Sequence, residues 1–257
     1  MAYALKRLGG QPILVGAVGD DGGSYLEHLK QNGIDTTSII AVPTAHTASA
    51  FMITDRDDNQ ISAFHNGAIS HIPPLPEGRF FLAIISPSTR ETMREHLRVC
   101  RERKLSAVFD PGQRVATFSR SELREAIELA DFVIGNDYEI SQLAKGSGWS
   151  EAKMSGRLTA LITTLGNRGS RIVAGHETVQ VPACPAVKTV DPTGAGDCFR
   201  AGFFVGLSRN LDWLSCARIG SLAATYAVES AGTQNYRFTI DQFADRYRRV
   251  YGLSLNW

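Results

Sequence analysis

The chain has 257 residues, 43% of them hydrophobic and 21% charged, with a net charge of +1. That balance describes a globular protein with no electrostatic bias toward nucleic acid or an anionic membrane, so neither is expected as a partner. The four cysteines form no CxxC pair and the six histidines are scattered, which argues against a zinc module and for free thiols in a reducing compartment. The opening MAYALKRLGG lacks the apolar core of a signal peptide and no run reaches transmembrane length, so a cytoplasmic location is expected.

Along the chain, SAFMITD and QISAFHN, within residues 43–66, alternate around DRDDN, whose Asp and Asn residues suit a turn. They predict an antiparallel hairpin, a flap or lid beside the main sheet. From about residue 80, FFLAII (80–85), LSAVFD (105–110), DFVIGN (131–136) and TALITT (159–164) read as buried strands. Ser88 with Glu91, and Ser119 with Glu122, have capping-box spacing ahead of helical segments, and a repeat of roughly 25 residues suits right-handed crossovers. TLGNRGSRIVAG and ETVQVPA read as further strands, and CFRAGFFVGLSR and LDWLSCARIGSLAATYAVES as long helices. Thr239 with Gln242 opens a last helix, TIDQFADRYRRVY. No repeat, low-complexity tract or linker intervenes. The expectation is one α/β domain over residues 1–257, with a mainly parallel sheet and a small β lid drawn from about 43–66.

Polar residues stop three of the strands: Asp110, Asn136 and Thr164. Open α/β sheets bind ligands outside these carboxyl ends. The stretch DPTGAGDCF (191–199) sets Gly194, Ala195 and Gly196 directly before a helical pattern. Backbone there can approach an anion closely, with first-turn N–H groups and the helix dipole supplying positive potential. Asp197 would then stand where it could take a proton from a substrate hydroxyl while a phosphoryl group rests on the adjacent amides. Local physics leaves a second reading open, in which the glycines serve a tight turn and Asp197 only favours the helix start. No GxxxxGK[ST] occurs, and GAVGDDGG has the wrong glycine spacing for a dinucleotide fingerprint.

Other features read as structural. Arg94, Arg98, Arg101 and Arg103 alternate with Glu91, Glu95 and Glu102 in a way that fits a salt-bridged helix face. Cys198 has no neighbour in sequence that would activate a thiolate. Arg246, Arg248 and Arg249 suit the carboxyl end of a terminal helix.

DPTGAGDCFRAGFF resembles the carboxyl-terminal signature of the ribokinase-like, or PfkB, family of sugar and nucleoside kinases. NDYE (136–139) is similar to the family's motif near the metal and phosphates, and TLGNRG (164–169) to its nucleotide loop. AHTASAF, DNQISAFHNGAI, FDPGQ, GNDYE and GTQNYRF look closer to bacterial adenosine kinases than to ribokinases. The resemblance implies a ribokinase-like three-layer αβα sandwich and Mg2+-dependent transfer of the ATP γ-phosphoryl group to a primary hydroxyl. In that scheme Asp197 is the base and Gly194, Ala195 and Gly196 form the anion hole. Asn136, Thr164, Leu165, Gly166, Asn167, Arg168 and Gly169 would contact ATP, and Glu139 would hold Mg2+ through water. Phe64 and Gln113 are carried over as substrate contacts, Phe64 because an aromatic face can stack on a purine, although packing on its own hairpin explains it nearly as well. Asp191 matches a position that in some members helps hold a monovalent cation such as K+, and helix capping explains the same residue. The substrate would be adenosine, with a ribose- or fructose-type sugar as the alternative and a homodimer through the lid as the implied assembly. Met1 aligns inside the family's first helix, so the preceding Gly-Gly and Asn motif, the first strand and part of the flap are expected to be absent from this chain. That expectation keeps a third reading open, a non-catalytic nucleotide or nucleoside binder.

Overall fold

The computed structural model describes residues 1–55 and 60–255. Its amino-terminal part contains α1 (Ala2–Arg7), β1 (Gly16–Val18), α2 (Gly23–Gln31), β2 (Ile39–Ala41) and the hairpin β3 (Ser49–Thr54) and β4 (Gln60–His65). Then follow β5 (Ala83–Ile85), α3 (Arg90–Glu102), β6 (Ala107–Phe109), α4 (Arg120–Leu129), β7 (Phe132–Asn136), α5 (Asp137–Ser147) and α6 (Glu151–Ser155). The remainder is β8 (Ala160–Thr164), β9 (Ser170–Ala174), β10 (Glu177–Val181), α7 (Ala195–Ser208), α8 (Trp213–Val228) and α9 (Ile240–Tyr251).

The four apolar runs become β5 to β8 because both their faces are covered, which is what a near-continuous hydrophobic strand requires. They lie parallel and in sequence order. Beyond β8 the sheet turns antiparallel through β9 and β10, the two further strands expected from the sequence. Alternate side chains build opposite layers. Phe109, Val133 and Leu161 pack with Met93, Leu97, Leu123, Ile127, Leu143 and Met154 from α3 to α6. On the other face Val108, Ile134 and Ile162 pack with Phe199, Phe203, Phe204 and Cys216 from α7 and α8. The result is the expected α/β/α sandwich. Glycines set the spacing of its second helical layer: a Cβ on Gly202 of α7 would stand 2.7 Å from Ile219 O and 2.8 Å from Gly220 Cα of α8.

Capping follows the sequence at α4 (Ser119/Glu122) and α9 (Thr239/Gln242), where both boxes are closed. At α3 the cap is Thr89, whose hydroxyl accepts from Thr92 N, and the Ser88/Glu91 box does not form. The α3 arginines are paired as expected, but across helices: Arg94 reaches Glu122 and Glu125, and Arg98 reaches Glu125, all on α4. Arg246 of α9 makes a two-pronged bond to Glu229 at the end of α8.

Strands β3 and β4 pair antiparallel, Ser49 opposite His65 and Thr54 opposite Gln60, in a sheet of their own. Of the predicted turn DRDDN, residues 56–59 lie outside the described residues. A second small sheet pairs β1 with β2 in parallel. Between β1 and β5 lies an apolar cavity of about 570 Å³, touched by Gly16 and Ala17 on one side and Ala83, Ile84 and Ile85 on the other. Among the described residues no helix is long and apolar enough to cross a membrane.

Candidate active site

The parallel strands bring their polar ends together. Asn136 is the register partner of Thr164 on the neighbouring strand, and Asp110 directly follows Phe109, which pairs with Val133. Asn136 also caps α5: its Oδ1 accepts from Glu139 N at 2.8 Å, and Glu139 Oε2 accepts from Asn136 N at 2.8 Å. Both residues of the NDYE motif therefore have a structural task, which the Asn-x-x-Glu spacing could have shown. Thr164 leads into Leu165, Gly166, Asn167, Arg168 and Gly169, with Gly166, Asn167 and Arg168 exposed beyond the strand. Arg168 Nη2 donates to Asp137 Oδ2 at 2.6 Å, tying this loop to the first turn of α5. Gly169, at φ 95°, admits no side chain, because a Cβ would meet Val181 O.

The start of α7 differs from the starts of α3 to α6, α8 and α9, each of which has a side-chain cap. Its N-cap is Gly194, left-handed at φ 84° and without a capping side chain. Ala195 N bonds Pro192 O at 3.2 Å, and the first helical bond runs from Cys198 N to Gly194 O at 2.9 Å. The amides of Gly196 and Asp197 thus lie outside the helix's own bonding, at its positive end. Asp197 stands in this first turn with its side chain 53% exposed, and Met1 N lies 3.9 Å from its Oδ2. An acceptor for negative charge and an accessible carboxylate are neighbours here.

Asp191 does not cap α7. Its Oδ1 accepts from Thr193 N and its Oδ2 from Gly232 N, each at 2.9 Å, so it shapes the entry loop and pins it to the turn after α8. The Thr193 bonds hold its carboxyl below the ordinary range. Beneath α7 lies a cluster that sequence reasoning missed. Arg200, 8% exposed, donates through Nε and Nη2 to the two carboxylate oxygens of Asp110, 2% exposed, at 2.7 and 2.8 Å. Glu139 Oε2 lies 3.7 Å from Arg200 Nη2. Burial pushes the Asp110 carboxyl up, and the bidentate Arg200 opposes it; two N–H donors on two oxygens is the geometry of an ionised pair. Burial alone would lower the Arg200 guanidinium, but Asp110, Glu139 and Asp197 together raise it.

On the other flank, Phe64 of β4 is half exposed and carries the Arg114 guanidinium over its ring at 4.7 Å. Arg114 follows the exposed Gln113 in the loop after β6 and also reaches Asn66 Oδ1 at 3.4 Å. The two expected substrate contacts are thus joined by a cation that the sequence did not single out. For a divalent ion, Glu139 is a single carboxylate with one oxygen already engaged. That suits a hydrated Mg2+, which keeps most of its waters and takes one or two carboxylates with substrate phosphates. Among the described residues the one group of three convergent metal-binding side chains is Asp20, Asp21 and His46, all exposed and none of them an expected site residue. The 570 Å³ cavity is not the site either, since none of the expected site residues lines it. Cys198 is buried, its thiol pushed up to about 11 by that burial, and it bonds the Tyr236 hydroxyl at 3.2 Å.

Comparison with known proteins identifies the family and the fold. The model of the pfkB family of carbohydrate kinases matches residues 1–239. A nucleoside kinase from Methanothermobacter thermautotrophicus is 35% identical, the match covering 91% of this chain and 78% of that protein. A ribokinase from Bacillus subtilis is 32% identical over 91% of this chain and 80% of its own length. The structure of a Burkholderia thailandensis nucleoside kinase in complex with inosine superposes with a TM-score of 0.95 at 35% identity, covering 99% of this chain and 87% of the other. The same enzyme in complex with ADP-inosine superposes at 0.93, with 98% and 81% covered.

Proposed function

From its membership of the pfkB carbohydrate kinase family, to which this chain belongs, we propose that this kinase moves the γ-phosphoryl group of ATP to a primary hydroxyl of a nucleoside. Adenosine is the first expected acceptor. The observation that carries the reading is the uncapped start of α7, where the amides of Gly196 and Asp197 lie outside the helix's own bonding beside the exposed Asp197 carboxylate.

The turn of Gly194 to Gly196 receives the transferring phosphoryl group on the unengaged amides of Gly196 and Asp197, and the Asp197 carboxylate takes the proton of the attacking hydroxyl. ATP supplies the phosphoryl group, and Mg2+ supplies charge neutralisation on its phosphates. Asn136 and Thr164 to Gly169 hold the nucleotide at the ends of β7 and β8. Glu139 would hold the metal through water, its second oxygen being fixed by the α5 cap. Asp191, three residues before the hole, is the candidate for a monovalent cation, although both its oxygens already accept backbone N–H bonds.

The choice of a nucleoside over a free sugar rests on Phe64, an exposed aromatic face steadied by Arg114 beside Gln113, and on the nucleoside kinases among the relatives. The likeness to a ribokinase supports a sugar as the second reading. A coupled assay for ADP with adenosine, inosine, ribose and fructose decides: turnover of ribose or fructose without either nucleoside overturns the substrate claim. Phe51, Met52, Ile53 and Ile61 of the hairpin are 62–75% exposed, an apolar surface that a second copy would cover, and sedimentation tests that dimer. A cytoplasmic location suits the four buried, unpaired cysteines.

A further inference from the structure

Arg200 enters none of the roles above, yet it lies one helical turn beyond Asp197 and points back under the anion hole. Its three nitrogens are divided among three segments of the site. Nε and Nη2 hold Asp110, the residue that ends β6 and opens the loop to Gln113. Nη2 also lies 3.7 Å from Glu139 at the head of α5. Nη1 faces the Gly196 backbone: a Cβ built on Gly196 would stand 2.9 Å from it. A planar fork on a carboxylate fixes distance and rotation together, which the single ammonium of a lysine cannot do.

We propose that Arg200 is a positioning residue for phosphoryl transfer: through Asp110 it locks the anion-hole turn of α7 in register with the substrate-side end of β6, and it places positive charge beneath Gly196. The proposal rests on Gly194 to Asp197 being the phosphoryl-transfer machinery. Asp110 is then the partner that fixes the fork, and the pair acts as one unit. A displacement of about 1 Å between reacting groups can cost on the order of 100-fold in rate, so loosening this lock acts on turnover before it acts on ATP binding.

The test compares Arg200→Lys, Arg200→Met, Asp110→Asn and the double variant Arg200→Met/Asp110→Asn with wild type, at the acceptor that wild type turns over best. The expected result is a fall in kcat of about 10- to 100-fold for each single variant, with the Kd for ATP by calorimetry within about threefold. The double variant is expected to lose no more than the worse single, because both changes break the same lock. Wild-type kcat in Arg200→Lys, even with a lowered melting temperature, overturns the proposal by reducing Arg200 to a stabilising contact. Losses that multiply in the double variant overturn it too. Should Arg200→Met fail to fold, Arg200→Lys, which keeps charge and stem, decides alone. Asp197→Asn is assayed alongside: if it turns over normally, the reading of α7 falls and this proposal with it, whereas a dead Asp197→Asn beside a fully active Arg200→Lys sinks this proposal only.

Discussion

Replacing Gly202 by alanine separates two opposed effects of known sign. In an exposed helix the change would stabilise by about 1 kcal/mol, because glycine costs that much more conformational entropy. At Gly202 the added methyl meets backbone on the facing helix, Ile219 O at 2.7 Å, Gly220 Cα at 2.8 Å and Gly220 N at 2.9 Å. Ordinary carbon–carbon contact is about 3.5–4.0 Å, so α7 and α8 must part by about 0.7 Å or more, and no side chain can swing aside to spare them. Overpacking of this kind costs about 1–3 kcal/mol, and contact with backbone on both sides puts this site at the upper end. The net effect is a loss of about 2 kcal/mol, or a melting temperature lowered by roughly 4–8 °C for a protein of this size. Thermal unfolding followed by circular dichroism measures it. An unchanged or raised melting temperature would refute the claim that these glycines set the distance between the helices.

Asp197→Asn is expected to lower kcat by roughly 100-fold or more with ATP binding kept, read by the coupled ADP assay and calorimetry. Phe64→Ala should raise the KM for a nucleoside about fivefold or more, the low end of a lost base stack, and leave the KM for ATP unchanged; equal effects on both would remove Phe64 from the acceptor site. Glu229 is held below the ordinary carboxylate range, chiefly by its bonds to Arg246. A carboxyl depressed in the folded state contributes stability that is present above its unfolded pKa of about 4.3 and lost as pH falls through the folded value. Glu229→Gln should therefore melt below wild type at pH 7, with the gap closing as pH falls below about 4. A gap that holds at low pH would mean that the pair contributes by packing and not by charge.

What the sequence made legible was local. Each of β5 to β8 could be found because a strand buried on both faces needs an unbroken apolar run, and β3 and β4 because two short apolar runs flank the turn residues of DRDDN; the expected alternation is not matched by burial, since Phe51, Met52 and Ile53 are all exposed. Gly194 to Asp197 was readable as a candidate anion site since glycine spacing and the onset of helix lie within a few residues. The cap of α3 shows the limit of such reading: Ser88, Thr89 and Thr92 all carry hydroxyls, and only the extended backbone of Thr89, φ −66° and ψ 151°, selects the donor's partner. Arg200 and Asp110 are separated by 90 residues, so nothing near either one announces the pair. The same holds for Arg114 over Phe64, and for Arg94 and Arg98 of α3, whose partners sit on α4 and not one turn away on their own helix.

All four native thiols are buried. Burial lifts Cys100 and Cys198 to about 11 and Cys216 to about 12. Shielded by burial, all four react slowly with electrophiles at neutral pH. A single cysteine introduced at the exposed Ile61 of the hairpin would therefore stand as the one fast site for a maleimide dye. The angle of that hairpin could then be followed optically during turnover, with every native cysteine left in place.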